Sequence, residues 1–576
     1  MKKYIIIFTL ALAGLFVSCG DDFLNRVPYN QPTAGQPASM QFIDALVTGA
    51  YRGLILDCSG GQWKPIIGYF DMVADNAFSG GGDANDQAWL QRHTRFMASA
   101  TTQTVTGWWN MFYDSIQRTN LALAAIDNAT DETIARHADL LEQRRAELYI
   151  LRAWYAMWLW KAYGNIPFFT EPWDGVNMSA PQRSQSEMVG IMLADLDRAI
   201  AIPQLPDVRP RTGEDRGRVH RYMAFMVRAR VLLHANGIPG LDPAVRTVVQ
   251  GRLPQILTDM QRIINHPQFG LVTEGGMGFI GNIGGINNER GLTYVENPFE
   301  WIFLGGIPTA ATGTVTGGGE FSSESVFEVL SQTNPGFAQN TPQFSSIRQP
   351  TGSAFQSQFA SGWGFMTVRP DAYAIFEYAD RRRTVSVLNF GLEMGADYRW
   401  HEVYMNTGLW MGKYTARWGN NRSTAGTSGG RWNNNRRYFR IAEAYLTIAE
   451  LQVIHGVTAP GVMSAQAALD AIRDRAFGTT TNRIPATASN IKLEWRREFF
   501  GEGLRFWQLL RWNFCENGRP LSEVLGSVTF NVGPAGQPPV VLTRTWREYY
   551  RLLPIPQRDI DQARGLTYEL VQNPGF

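Results

Sequence analysis

The stretch AELYILRAWYAMWLWKAYG, residues 146–164, is apolar on nearly every face of the helix it predicts. A surface helix carries one apolar stripe, so a helix with Trp154, Trp158 and Trp160 around its circumference has to be enclosed by other protein. Gly164 and Pro167 terminate it. The enclosing partners lie on both sides. WWNMFYDSIQRTNLALAAID (108–127) is amphipathic over five turns, with Trp109, Phe112, Ile116, Leu123 and Ile126 near the buried side. FIDALVTGAYRGL (42–54) places Phe42, Ala45, Leu46, Ala50 and Leu54 on one stripe, and VHRYMAFMVRARVLLHANG (219–237) is a further buried helix with Gly237 at its C-cap. The tryptophans at 108, 109, 154, 158, 160, 495 and 507 are therefore expected in the core.

Further along, RIAEAYLTIAELQVIHG (440–456) leads through a loop to SAQAALDAIRDRAFG (464–478). Small residues (Ala442, Ala449, Ala467, Ala468, Ala471) recur where two helices must approach closely, as in tetratricopeptide helical hairpins. Between residues 269 and 435 helical periodicity is lost and Gly, Ser, Thr, Asn and Gln dominate, interrupted by short extended patches such as SVFEVL and EWIFL. Aromatic residues punctuate this stretch, whereas a disordered linker would lack them. The fold expected is mainly α: a tetratricopeptide-like helical-hairpin scaffold (residues 38–268 and 436–576) with an inserted loop-rich subdomain (269–435) carrying short strands.

The chain of 576 residues has a net charge of +2, which gives no electrostatic reason for nucleic-acid binding. Cys19, Cys58 and Cys515 cannot form a disulfide framework and do not fit a zinc site, and the seven histidines form no HExxH motif. Lys2 and Lys3 precede an apolar run from Tyr4 to Phe16, too short to span a bilayer but suited to a signal peptide. Val17, Ser18 and Cys19 match the pattern in which a lipoprotein signal is cut before a cysteine that is then acylated. The expected order is a signal peptide (1–18), a lipid-anchored, proline-dotted tether (19–37) beginning at Cys19, and one domain (38–576). The Gly20-Asp21-Asp22 that follows resembles the acidic flag carried by surface-exposed Bacteroidota lipoproteins.

Two loop segments have the chemistry of sugar capture, which needs aromatic faces for C–H surfaces and amide, carboxylate or guanidinium groups for hydroxyls. DMVADNAFSGGGDANDQAWLQRH (71–93) carries Asp83, Gln87, Trp89 and Arg92 in and after a glycine-rich loop. NPGFAQNTPQFSSIRQPTGSAFQSQFASGWGF (334–365) carries Phe337, Phe344 and Trp363, the last equally readable as a packing residue. The run EWRREFFGEGLRFW holds Glu494, Arg497, Glu498 and Arg505 at spacings better explained by ion pairs on and between helices than by catalysis.

In order along the chain, CGDDFLNRVPYNQPT, ELYILRAWYAMWLWKAYGNIPFFTEP, GRVHRYMAFMVRARVLLHA, SESVFEVL, GWGFMT, FEYADRRR, MGKYTARWG, EWRREFFGEGLRFWQLLRW and YYRLLPIPQRDIDQARGLTYELVQNPGF resemble the SusD/RagB-type, starch-binding SusD-like outer-membrane lipoproteins from Cys19 to Phe576. The resemblance implies four tetratricopeptide-like hairpins and a location on the outer face of the outer membrane. It further implies a partner, a SusC-like TonB-dependent transporter, to which captured oligosaccharides or, in some branches, peptides are delivered without catalysis. No metal, cofactor or nucleic acid is implied. Family ligand contacts fall in the regions of Trp89 and Arg92 and of residues 334–363. Phenylalanine stands there where a starch binder would show Trp or Tyr, which leaves open a different glycan or a more apolar peptide; a scaffold that binds only proteins is the other alternative.

Overall fold

The computed structural model describes residues 37–56, 66–173, 180–279, 292–305, 307–308, 315–316, 318–331, 341–348, 359–417, 432 and 434–576. The expected signal peptide, Cys19, the tether up to residue 36 and Phe337 lie outside the described residues. The scaffold is built from helices α1 (Met40–Tyr51), α2 (Ile66–Val73), α3 (Ala88–Thr94), α4 (Gln103–Asp127), α5 (Asp131–Tyr163), α6 (Gln185–Ala201), α7 (Arg221–Asn236) and α8 (Pro243–Ile264), followed after the loop-rich stretch by α9 (Ile441–Val453), α10 (Ala465–Phe477), α11 (Ala488–Glu498) and α12 (Arg505–Trp512).

Local chemistry fixes the ends of these helices. Thr130 caps α5 by accepting the N–H of Thr133, and Ser184 and Glu187 form a reciprocal capping box on α6. Asp242 caps α8 with Pro243 at its first position, and Ser464 caps α10. Gly478 closes α10 in the left-handed conformation, φ 68°. Only Asn128–Thr130 separates α4 from α5, so the two must fold back on each other as a hairpin. Packing then runs from helix to helix: α4 on α5, α5 on α6, α7 on α8, α9 on α10. α8 also packs on α9, although most of the loop-rich stretch lies between them in sequence, so the tetratricopeptide-like array continues across the insertion.

The expected core tryptophans are all buried, with Trp154, Trp160 and Trp495 at most 1% exposed. Phe70 of α2 is the hub, with ring centroids 5.4 Å from Trp108, 6.1 Å from Trp158 and 4.5 Å from Trp507. Arrangements of this kind add to the area burial of each ring.

The loop-rich stretch is woven into the scaffold rather than set beside it. Its main sheet has four strands in the order β1 (Ala77–Ser79), β3 (Met366–Val368), β5 (Leu409–Met411), β4 (Val387–Asn389), so the first strand comes from the N-terminal helical half. A second pairing joins β2 (Ser325–Val329) to β6 (Arg436–Arg440), which runs directly into α9. SVFEVL is extended as expected. EWIFL is not: Pro298–Phe303 is a short helix, because Asn297 accepts the N–H of Phe299 and Pro298 occupies the first helical position.

Candidate functional site

β1 lies antiparallel to β3, with Ala77 opposite Val368 and Ser79 opposite Met366. Immediately after β1 the backbone continues the ladder: Gly80 N–H donates to Phe365 O (3.0 Å) and Gly81 N–H to Gly364 O (2.8 Å). Glycine is required here. A Cβ on Gly80 would stand 2.3 Å from Gly364 O, and one on Gly81 (φ +114°) would stand 2.7 Å from the Phe365 ring. The glycine-rich loop is thereby laid on residues 364–365, next to Trp363.

Beyond the glycines the loop folds on its own carboxylates. Asp83 Oδ1 accepts the N–H groups of Asn85 (2.7 Å) and Asp86 (3.0 Å). Asp86 Oδ2 accepts the N–H of Gly82 (2.7 Å) and Nη1 of Arg348 (3.2 Å). That ion pair ties the loop to the second candidate segment. Gln87 then adopts a left-handed backbone, φ 54°, uncommon for a residue with a side chain, and starts α3.

α3 has two faces. Inward, Gln91 Nε2 donates to the carbonyls of Ser79 (3.0 Å) and Gly80 (3.1 Å) while its Oε1 accepts from Ser79 Oγ (2.7 Å). Outward, Trp89 is half-buried and Arg92 exposed, three residues apart and therefore on one side of the helix. The Trp89 ring meets His93 edge-on at 6.4 Å, and its Nε1–H donates to Gln87 Oε1. The indole is thus tied to Gln87, which is exposed, as is Asp83 four residues earlier in the loop.

In the second segment, Trp363 is half-buried, its N–H donating to Gln343 O (2.7 Å) and its ring 6.3 Å from Phe365. Phe344 is 2% exposed and packs on Phe365 at 5.0 Å. It offers no face to solvent, contrary to the expectation of a surface aromatic; it supports the strand on which Trp363 and the glycine loop rest. Asp86 and Arg348 carry the join between the two segments; Arg348 is among the polar residues that the second segment offers in sequence, but its pairing with Asp86 is visible only in three dimensions.

Gln87, Trp89 and Arg92 thus stand together at the start of α3 just after Asp83, and the Asp86–Arg348 ion pair ties their loop to the segment that leads to Trp363. Such a set can stack on an apolar face and bond to hydroxyls. The carboxylates of Glu494 and Glu498, by contrast, are fully buried among arginines. Among the described residues no cluster of three or more His, Cys, Asp or Glu side chains could hold a metal ion, and no helix is long and apolar enough to cross a membrane.

Two family models match the chain: the SusD family over residues 389–576 and "Starch-binding associating with outer membrane" over residues 22–212. No curated protein matches it. Among solved structures, the chain is similar to surface glycan-binding protein A from Bacteroides fluxus, at 30% identity and a TM-score of 0.74, covering 94% of this chain and 100% of that one. It is similar at 26% identity to surface glycan-binding protein A from Bacteroides thetaiotaomicron in complex with laminarihexaose, with a TM-score of 0.71 and coverage of 93% and 100%. A laminarin-binding SusD-like protein, at 22% identity and a TM-score of 0.68 over 94% of this chain and 100% of that one, shares the fold. With both ends of the chain matched by family models and a relative of that identity aligned along nearly its whole length, the chain belongs to the SusD family.

Proposed function

We propose that this protein is a non-catalytic cell-surface lipoprotein, anchored through Cys19, that binds an oligosaccharide on the surface formed by Asp83, Gln87, Trp89, Arg92 and Trp363 and hands it to a SusC-like TonB-dependent transporter. The observation that carries the reading is Trp89. It is a half-buried indole on α3, held by Gln87 and His93, on a helix that follows a loop bonded to the sheet, with Gln87 and Arg92 as nearby hydroxyl-binding groups. Aromatic stacking on a sugar face needs that exposure, and the fixed ring lowers the ordering cost of binding. The solved relative in complex with laminarihexaose supports an oligosaccharide as the ligand class, with a β-glucan the first to try. Phe337 is kept in this reading as a ligand-contact residue expected from the sequence, and Phe344 packs beneath Phe365.

The test is titration with laminarihexaose and an array of neutral glycans. Trp89→Ala is expected to weaken the retained glycan at least tenfold, with a Tm lowered by no more than a few degrees, since the ring lies at the edge of the core. If no glycan on the array is retained, the carbohydrate reading fails and peptides take its place. Location has its own test: Cys19→Ala should release the protein from membranes, and a variant still membrane-bound would refute the anchor.

A further inference from the structure

A cleft of about 430 Å³ opens at the far end of α5, sharing no lining residue with the surface around Trp89. It lies between Asn165 after α5, Gln185 at the start of α6, the end of α7, and the C-terminal tail. Its walls are fixed in place. Asn573 Nδ2 donates to Tyr163 O (2.9 Å) and Leu553 O (2.7 Å), and Leu552 is pressed so close to Gly164 that a Cβ there would stand 2.6 Å from it. The volume falls in the range of about 300–1,000 Å³ typical of small-molecule sites.

The lining combines apolar surface with neutral polar groups. Tyr549, Leu552 and Pro239 supply the former; Asn165, Gln185 and His234 supply the latter. The side-chain amide of Gln185 makes no hydrogen bond among the described residues. His234 is 8% exposed and packs edge-on to Trp160 (5.1 Å) and Trp507 (5.7 Å); its Nδ1 is buried with no hydrogen-bond partner among the described residues. A buried polar atom left unpaired in a native protein calls for a partner, and here it belongs to a residue that lines the cleft. Burial, with Lys161, Arg511 and Arg551 nearby, keeps the imidazole's pKa well below its usual value, so the ring is neutral and one nitrogen accepts.

Charge is satisfied internally. Glu548 accepts from Arg551 Nε (2.6 Å) and Trp546 Nε1 (3.1 Å), and Arg551 also donates to Leu510 O (3.0 Å) and Asn513 Oδ1 (2.6 Å). An anion or cation would find no unpaired counter-charge in these groups, whereas a polyol with one apolar face fits both kinds of lining. We propose that this cleft is a second binding site, for one or two rings of a neutral sugar.

The experiment is saturation-transfer NMR and titration of the full mature chain with laminaribiose, cellobiose and maltose. The variants are Tyr549→Ala and Gln185→Ala, both on partly exposed side chains, with Trp89→Ala alongside. At least one disaccharide is expected to bind, weakened fivefold or more by each cleft variant at unchanged Tm, with a component that survives Trp89→Ala. Absence of binding by all three disaccharides, or binding that the cleft variants leave intact, would overturn the site. Loss of all binding in Trp89→Ala alone would assign it to the loop surface and overturn the cleft. Sensitivity to the cleft variants alone would support the cleft and count against the loop reading.

Discussion

His220 couples scaffold and insertion through one side chain. It caps α7, its Nδ1 lying 3.4 Å from Met223 N and 3.0 Å from Asp207 O, while Nε2 faces Val326 O of β2 at 2.9 Å. Burial lowers its pKa to about 4, Arg209 adding to the effect, against the hydrogen bonds to Val326 and Asp207 that favour the charged ring. The folded pKa lies below the unfolded one, so this stabilisation is complete above pH ~6.5 and is lost as pH falls toward 4. The size is of the order of 3 kcal/mol. Urea unfolding of the wild type should therefore lose stability between pH 7 and 4.5, and His220→Gln should lose about 2 kcal/mol less over the same interval. Equal losses in the two proteins would mean that other groups carry the dependence. Trp89 and Phe344 mark what single residues disclose. Both stand in segments without periodicity, where no pattern tells inside from outside. Phe344 is buried because Phe365 and Met366 come from a strand that the local sequence around it does not announce.

At the scale of elements, periodicity and punctuation picked out α1, α4, α5, α7, α9 and α10 but not α2, α3, α6 and α8. The buried stripe of α1 is Ile43, Val47 and Ala50 rather than Phe42, Ala45 and Leu46. Ser464 and Gly478 bracket α10, and the all-round apolar run of α5 marks the centre of the core. The start of α5 fifteen residues earlier than that run, at Asp131, escaped because its first turns are polar. What local sequence does not reveal is the latch between loop 80–87 and the segment 341–348, whose partners, Asp86 and Arg348, stand 262 residues apart. Their side chains are 28% and 36% exposed, so the pair contributes about 0–1 kcal/mol to global stability. Its effect belongs to the loop instead. Without Asp86, the N–H of Gly82 loses its acceptor and the loop must be ordered when ligand binds. Asp86→Ala is accordingly expected to leave Tm within a degree or two, raise amide exchange over residues 80–87, and weaken glycan binding by about three- to tenfold. Unchanged affinity with faster exchange would show that the loop's order does not matter to capture.

Across the whole molecule, the insertion is held to the helices by buried charge. Glu498 of α11 accepts from Arg382 (3.1 Å) in the loop-rich stretch, Arg440 (2.7 Å) at the end of β6 and Arg475 (2.6 Å) of α10. Glu324, just before β2, accepts from Arg440 (2.8 Å) and Arg475 (3.0 Å), so the network closes on itself. The spacing of Glu494, Arg497 and Glu498 foretold ion pairs. Only the contact within α11 is local, Arg497 to Glu494 at 3.4 Å; the three arginines on Glu498 come from elsewhere in the chain. Burial alone would raise the Glu498 pKa, but Arg475, Arg440 and Arg382 more than offset it and hold the carboxyl far below its usual range. Its contribution is therefore complete above the unfolded carboxylate value of ~4.3 and declines only as pH falls toward the depressed folded one. Removing one member of such a network leaves buried positive charge uncompensated, which costs about 3–5 kcal/mol. Glu498→Gln should lower the urea midpoint accordingly at pH 7. Because Glu498 joins insertion to scaffold, the variant should also separate the unfolding of the two, with amide protection of strands β4 and β5 lost at lower urea than helical circular dichroism. Coincident transitions at a lowered midpoint would mean that strand β1 and the β2–β6 pairing are enough to keep the molecule one cooperative unit.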